Sequence, residues 1–274
     1  MTFAAPLSHR TLIRIGGADR YAFLQGLLSN DVMKASEDRA VYAALLSPQG
    51  KFLHDLFLLH VADAFWVDCE AGRAEDLLRR LNAYKLRSKV TFENLTDRSD
   101  VWAIWGGAHS APQTFVDPRL PELGMRAFVE KNKIPVGPII SDFSVYDERR
   151  LHAGVADGSR DMEIEKSTLA EGNFDFLNGV DWKKGCYVGQ ELTARMHYRG
   201  LAKRRLFPVR VEGAPIAFGA QIEGDGEMRS SCHKHGLALL KTEDAQKAIN
   251  EEKPLTYQNT KLWVGLPSWM KPGL

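Results

Sequence analysis

The richest run of reactive side chains is Lys183-Lys184-Gly185-Cys186-Tyr187-Val188-Gly189-Gln190-Glu191-Leu192-Thr193-Ala194-Arg195. Two lysines stand directly before a cysteine. Glycines bracket that cysteine and leave room for a ligand to approach the backbone. Gln190–Met196 is expected to open a helix, which sets Cys186 near a helix N-terminus. Neighbouring ammonium groups and a helix N-terminus both favour a thiolate over a thiol. The structural alternative is a buried cysteine acting as a small hydrophobe. The electropositive setting and the glycines favour a functional thiol.

Basic residues continue through Arg195, Arg199, Lys203, Arg204, Arg205 and Arg210, and Glu191 is the only acid between Lys183 and Arg210. Such a stripe suits a polyanion, either RNA or the glutamate tail of a folate. The plainer reading is a solvated face, with Arg195 paired to a carboxylate. Only Tyr187 and Tyr198 are interleaved, which weakens the single-stranded nucleic-acid reading.

The elements that must position this segment are legible upstream. Thr11–Ile15 reads as a strand, broken by Gly16-Gly17. Asp19 then caps a helix through Leu28, with Phe23, Leu24, Leu27 and Leu28 on one face. Val41–Ser47, the turn Pro48-Gln49-Gly50 and Lys51–Val61 read as a hairpin. Phe65–Cys69 is a strand, Gly72–Tyr84 a helix, and Val90–Asn94 and Val101–Trp105 strands. This order predicts an antiparallel α+β sheet with helices on one face, compatible with a ferredoxin-like unit. Residues 106–140 read as loops around short strands, Ser144–His152 as a helix stopped by Gly154, and residues 155–181 as a long ordered loop. Beyond residue 203, Phe207–Val211, Ile216–Phe218, Gln221–Ile222, Leu237–Leu240 and Lys261–Val264 are expected as short strands of a small β-barrel or sandwich. The domain reading is therefore an α+β region over 1–202, in two subdomains, and a β-barrel over 203–274.

Composition narrows the class. The chain has 274 residues, 44% hydrophobic and 26% charged, with 36 Lys plus Arg against 35 Asp plus Glu. Disorder, collagen and coiled-coil rods are excluded for its bulk, and no global field points to DNA. Cys69, Cys186 and Cys232 are odd in number and far apart, which excludes a disulfide framework and fits a reducing compartment. Residues 1–15 lack an apolar stretch of signal-peptide length, and the longest apolar run, Leu56–Ala62, is too short to cross a bilayer. These readings predict a soluble cytoplasmic protein without membrane contact.

Lys184-Gly185-Cys186-Tyr187-Val188-Gly189-Gln190-Glu191, followed by Arg195, resembles the K-G-C-Y-x-G-Q-E signature of the YgfZ-type folate-binding proteins. These are relatives of the glycine cleavage T-protein, an aminomethyltransferase. The continuation through Lys203-Arg204-Arg205-Leu206-Phe207-Pro208-Val209 is similar to the branch of mitochondrial iron–sulfur assembly factors. Phe23–Asp31 resembles the family's F-L-Q-G-x-L-T-N-D segment, Ser47–Lys51 its hairpin turn, and Tyr84–Val90 its Y-K-L-R-x-K-V segment. Asn178-Gly179-Val180 precedes the signature as in relatives.

The resemblance implies a ring of α+β subdomains around a central folate site, with a C-terminal β-barrel alongside. It implies tetrahydrofolate as cofactor and a role in assembly or repair of [4Fe–4S] proteins, with tRNA modification affected indirectly. Cys186, Lys184 and Asp55 take the chemical roles. Cys186 is the redox or sulfur-contacting residue, and Lys184 holds its charge or a ligand carboxylate. Asn30, Asp31, Tyr187, Gln190, Glu191, Arg195 and Arg150 take the folate. The implied partners are iron–sulfur assembly proteins and client [4Fe–4S] enzymes rather than nucleic acid.

The chain also departs from its relatives. Where the T-protein has a pair of carboxylates, this chain has His54-Asp55; Asp55 either orients or deprotonates a folate amine or faces solvent. Where the T-protein has R-L-E-A-G, this chain has Arg150-Leu151-His152-Ala153-Gly154. Histidine lacks the bidentate acceptor that a pterin wants, which argues against straightforward aminomethyl transfer. Glu165–Asn173 lacks an F-P-x-E pattern. Cys232-His233-Lys234-His235 gathers metal-type side chains, but in a strand Cys232 and the histidines point to opposite faces, so no metal site is expected. Without a C-x-x-C, a cluster on this chain would be transient, shared with a partner, or ligated partly by small thiols. The competing functional readings are a folate-dependent one-carbon transferase and direct tRNA binding through the basic stripe.

Overall fold

Short, largely apolar runs bounded by turn residues set the strands of the first half, and the 3.6-residue period sets its two helices. In the computed structural model, which describes residues 1–270, the elements are β1 (Phe3–Pro6), β2 (Arg10–Gly16), α1 (Arg20–Leu27), β3 (Val41–Leu46), β4 (Phe52–Val61), β5 (Ala64–Glu70), α2 (Ala74–Lys85), β6 (Thr91–Asn94) and β7 (Ser99–Trp105), then β8 (Thr114–Val116), β9 (Met125–Glu130), β10 (Ile139–Ile140), α3 (Phe143–His152), α4 (Gln190–Tyr198), β11 (Arg204–Val211), β12 (Gln221–Ile222), β13 (Gly226–Cys232), β14 (His235–Lys241), α5 (Thr242–Asn250), β15 (Leu255–Tyr257) and β16 (Thr260–Val264). The fold class is α+β, with mixed sheets and a nearly closed C-terminal β-barrel. The chain forms two units. One holds Met1–Pro48, Leu53–Phe143 and Asn178–Gln190. The other holds Gln49–Phe52, Ser144–Leu177 and the chain from Glu191 on.

Two sheets build the first unit, in strand orders β3-β4-β5-β2-β6 and β10-β1-β7-β9-β8. One face of the first sheet carries Ile13, Ile15, Leu56, Leu58 and Val67 against Phe23, Leu24 and Leu27 of α1 and Leu77 and Leu81 of α2. The intervening positions point the other way. There Arg10, Asp55 and Asp68 are buried and meet Arg126 of β9. Arg126 also donates to Asp117, which takes two side-chain bonds from Arg119. Three guanidinium groups and three carboxylates thus neutralise one another in the interior. The Phe57 ring lies among them, 3.7 Å from Arg126 Cζ and 4.9 Å from Arg119 Cζ.

The second unit contains the sheet β12-β13-β14-β11-β16-β15. Its end strands meet where Glu223 N–H donates to Thr256 O at 3.0 Å, bringing the barrel near closure. Ala245 and Ala248 of α5 pack on Phe207, Val209, Leu240 and Leu262.

Several elements differ from the sequence reading. Strand β1 was not expected, nor were β13 and α5. β13 alternates poorly because its buried Arg229 is paired with Glu227 and Glu163. α5 is amphipathic, but the face it buries carries small residues, Thr242, Ala245 and Ala248, rather than the large apolar side chains that the sequence reading sought. Ile216–Phe218 is not a strand. Cys232-His233-Lys234-His235 is a hairpin turn rather than continuous strand, with Cys232 opposite His235 and His233 at φ 49°.

Removing one member of a buried ion network strands its partners. Arg126→Ala leaves Asp68 and Asp117 short of a donor and should cost about 3–5 kcal/mol in urea unfolding at neutral pH.

Candidate functional site

A helix ends with carbonyls that have no intrahelical partner. At the end of α1 these carbonyls meet a cation from far along the chain. Lys184 Nζ donates to Gln25 O at 2.8 Å, Leu28 O at 2.6 Å and Asn30 O at 2.9 Å. Burial draws the Lys184 pKa down to about 8, opposed by Asp31 and Asp181. At neutral pH it remains an ammonium, and its three N–H donors are all used. A positive charge at a helix C-terminus also matches the helix dipole. The expectation that Lys184 holds a thiolate or a ligand carboxylate is thereby corrected: its charge faces carbonyls.

The loop after Lys184 returns to the same helix. Val188 N–H donates to Gly26 O at 3.1 Å, and the Val188 side chain packs on the α1 core. Tyr187 N–H donates to Gln190 Oε1 at 3.1 Å. The Lys184 ammonium lies 5.1 Å from the Tyr187 ring centroid. Cys186 therefore sits between two anchors, and it is exposed. A built Cβ on Gly185 would meet nothing within 4 Å, so the thiol's approach is open.

The turn after α1 is sewn to residues 178–181. Ser29 Oγ donates to Gly179 O at 2.6 Å, and Asn30 Nδ2 to both Tyr42 O and Asn178 O at 2.7 Å. Asp31 accepts from Gln25 Nε2 and Met33 N–H. Asp181 accepts from the backbone of Lys183 and Lys184 and pairs with Lys34. Beside these groups opens a cleft of about 860 Å³, bordered by Asn30, Lys34, Arg39, Tyr42, Trp182 and Lys183. Cys186 is not among its lining residues.

The remaining expected residues fall elsewhere. Asp55 is neither at a folate amine nor in solvent. Its side chain is fully buried and bonded to Arg10 at 2.7 Å, so the structure gives it a charge-balancing task. His54 faces the opposite side of β4, toward α2. Burial first, then Arg73, lowers its pKa to about 3, and its Nε2–H donates to Asp76 at 3.0 Å.

Arg150 is buried in the second unit. It donates to Asp147, Asp161, Val155 O and Ser230. Glu191 and Arg195 belong to the second unit and pair with each other at 2.8 Å on an exposed face of α4. His233 and His235 both bond Glu148, and Cys232 Sγ lies near Ser144 O. Among the described residues, no group of three or more His, Cys, Asp and Glu side chains is placed to hold a metal ion. No helix among them is long and apolar enough to cross a membrane.

The sequence reading missed Lys34, Arg39, Tyr42, Trp182 and Lys183 as cleft-lining residues. About 140 residues separate the two groups along the chain, and only the contiguity of Asp181-Trp182-Lys183 with the signature hinted at them.

Comparison with known proteins bears on this geometry. Residues 5–112 match the GCVT N-terminal domain, and residues 203–272 match the CAF17 C-terminal beta-barrel domain. The human mitochondrial iron–sulfur cluster assembly factor IBA57 is 32% identical over 300 residues, covering 96% of this chain and 84% of that protein. The chain belongs to the IBA57 family. The mouse member is 31% identical, with the same coverage. The homolog from Mycosarcoma maydis is 34% identical over 227 residues, and the match spans 56% of its length. The chain thus spans little over half the length of the fungal IBA57 relative. The aminomethyltransferase T of the Bartonella henselae glycine cleavage system shares the fold, with TM-score 0.73 at 16% identity over 99% of this chain and 87% of that one. The expectation of a cytoplasmic protein is overturned, because these IBA57 relatives are named mitochondrial.

Lys184→Met removes three charge-assisted bonds from the end of α1. It should cost about 2–3 kcal/mol in urea unfolding and speed hydrogen exchange at the Val188 amide. Unchanged stability and exchange would show that the ammonium is not the clamp.

Proposed function

We propose that this chain serves iron–sulfur protein maturation by presenting Cys186 to a cluster in transit. The observation that carries this reading is the pinned loop, in which Lys184 and Val188 are tied to α1 while the thiol between them stays exposed. Pre-organisation of this kind lowers the ordering cost of a bridging ligand. The chain has no cysteine quartet, so Cys186 supplies one ligand and a partner protein or small thiols supply the others. The cluster is cargo: it arrives from an assembly protein and leaves for a [4Fe–4S] client. Effects on tRNA modification follow indirectly, through cluster-dependent modifying enzymes. The names of the IBA57 relatives support the same reading.

The fold family implies a folate, and the cleft beside Asn30 suits one. Its volume is within the usual range for small-molecule sites. Tyr42 and Trp182 bring aromatic side chains to its wall, and Arg39 and Lys183 are cations without a carboxylate partner among the described residues. An aromatic ring joined to carboxylates is what such a wall accepts. In this reading Trp182 stacks on the ring system, and Arg39 and Lys183 hold the acidic tail. The folate would supply one-carbon or redox chemistry when bound. A transferase reading is less favoured, because the Asp55 carboxylate is buried and bonded to Arg10 rather than facing solvent.

In cells of the source organism lacking the gene, the activity of a [4Fe–4S] enzyme per mole of its polypeptide should fall. Wild-type protein should restore it and Cys186→Ala should not, with the melting temperature of that variant unchanged because the side chain is exposed. Activity that stays normal without the gene overturns the maturation role. Equal loss of stability in Cys186→Ala would point to a packing role instead. In equilibrium dialysis, Arg39→Glu with Lys183→Glu should weaken 5-formyltetrahydrofolate binding at least about tenfold. No binding by the wild type removes the folate from this cleft.

A further inference from the structure

The turn that ends α2 holds a side chain where glycine is expected. Lys85 O accepts from Ser88 N–H at 2.8 Å, closing a four-residue turn. Leu86, its second residue, has φ 44° and ψ −111°. Those angles belong to the first central position of a type II′ turn, which glycine dominates because a Cβ is strained there. The Leu86 side chain gains no packing in return, being 88% exposed. An apolar residue in a strained backbone and in open water lowers stability twice over. Such an outlier points to a task outside the fold itself.

The turn is held firmly at its base. Lys89 N–H donates to Asp19 Oδ2 at 2.6 Å, and Asp19 N–H to Lys89 O at 3.3 Å. Gly17 permits this approach, since a Cβ there would lie 2.1 Å from Lys89 O. The turn therefore presents Leu86 on a rigid mount. Along the chain the charge here has one sign: residues 77–92 contain Arg79, Arg80, Lys85, Arg87 and Lys89 and no acid, and the carboxylate at the base of the turn, Asp19, is engaged by the Lys89 amide. Arg79 and Arg80 are tied to Asp76. Lys85, Arg87 and Lys89 have no carboxylate partner among the described residues.

We infer that Leu86 and its basic rim form a docking knob for an acidic protein surface that carries an apolar socket. The leucine fills the socket, and Lys85, Arg87 and Lys89 meet the surrounding carboxylates. Opposite charge on the rim speeds encounter and fixes the register, while burial of the leucine slows release. The site is separate from Cys186 and stands without the role proposed for that residue.

The test joins stability to binding. Leu86→Gly relieves the backbone and should raise the melting temperature by about 2–4 °C. A benzophenone side chain installed at position 86 of the full-length protein, in cells, should cross-link a partner whose contact peptide is rich in Asp and Glu. With that partner purified, Leu86→Gly should weaken binding about tenfold and keep its steep salt dependence, and Arg87→Glu with Lys89→Glu should weaken it at least as much and lose that dependence. An unchanged or lowered melting temperature in Leu86→Gly overturns the strain argument. Affinity unchanged in Leu86→Gly, a contact peptide without acids, or no adduct overturns the docking surface. An adduct of two copies of this chain, or sedimentation with phosphatidylserine-rich vesicles that Leu86→Gly abolishes, replaces the acidic protein with a self-interface or a membrane.

Discussion

Buried charge is the constraint on which the first unit is built. Arg10, Asp55 and Asp68 on one sheet, and Asp117, Arg119 and Arg126 on or beside the other, occupy an interior that apolar side chains would normally fill. Removing charges from water is costly, and the cost is offset only when every partner is in place. Asp68 illustrates the geometry: one carboxylate oxygen takes Arg10 Nε at 2.6 Å and the other takes Arg126 Nη1 at 2.5 Å. Each sheet thus holds the counter-charge of the other. The register between them is specified by ion pairs that a one-residue slip would break, because such a slip sends every side chain to the opposite face.

The same network takes up Asp55, one of the residues expected to carry chemistry. Asp55 remains an acid, but its neighbour Arg10 closes over it. The Asp55 carboxylate is part of the charged interior of the first unit. The Cys186 loop, by contrast, hangs exposed from the end of α1. There the design is economical in residues: one ammonium closes the helix, one valine anchors in the core, and the thiol stands between them.

Much of this architecture was legible in the sequence. Apolar runs bounded by turn residues marked β2 to β5, the 3.6-residue period marked α1 and α2, and Pro48-Gln49-Gly50 marked the hairpin. Spacing and resemblance singled out Lys184-Gly185-Cys186, and the structure places Cys186 on an exposed loop. The role of Lys184 was not legible, because a lysine beside a cysteine looks like an electrostatic partner until the carbonyls it meets are seen. Those carbonyls lie some 155 residues away, and no local pattern announces them. Arg150 misled for a similar reason: besides Asp147 on its own helix, its partners Asp161 and Ser230 come from a turn and from β13, the latter far along the chain. In β13 a charged pair took the place of the apolar pattern, and in α5 the buried face is made of small residues rather than large apolar ones.

The stitching of residues 178–188 to the turn after α1 also orders events in time. Ser29 finds Gly179, and Gln25 and Leu28 find Lys184, across more than 140 positions of chain. On a ribosome these contacts wait for the later segment, at about 5–20 residues per second roughly ten to thirty seconds after α1 emerges. Until then the end of α1 must rely on water for its carbonyls. Long-range closure of this kind slows folding, since the loop entropy must be met before the contact forms. The nascent chain therefore passes through an interval with an open first unit, in which chaperone capture and degradation compete with completion.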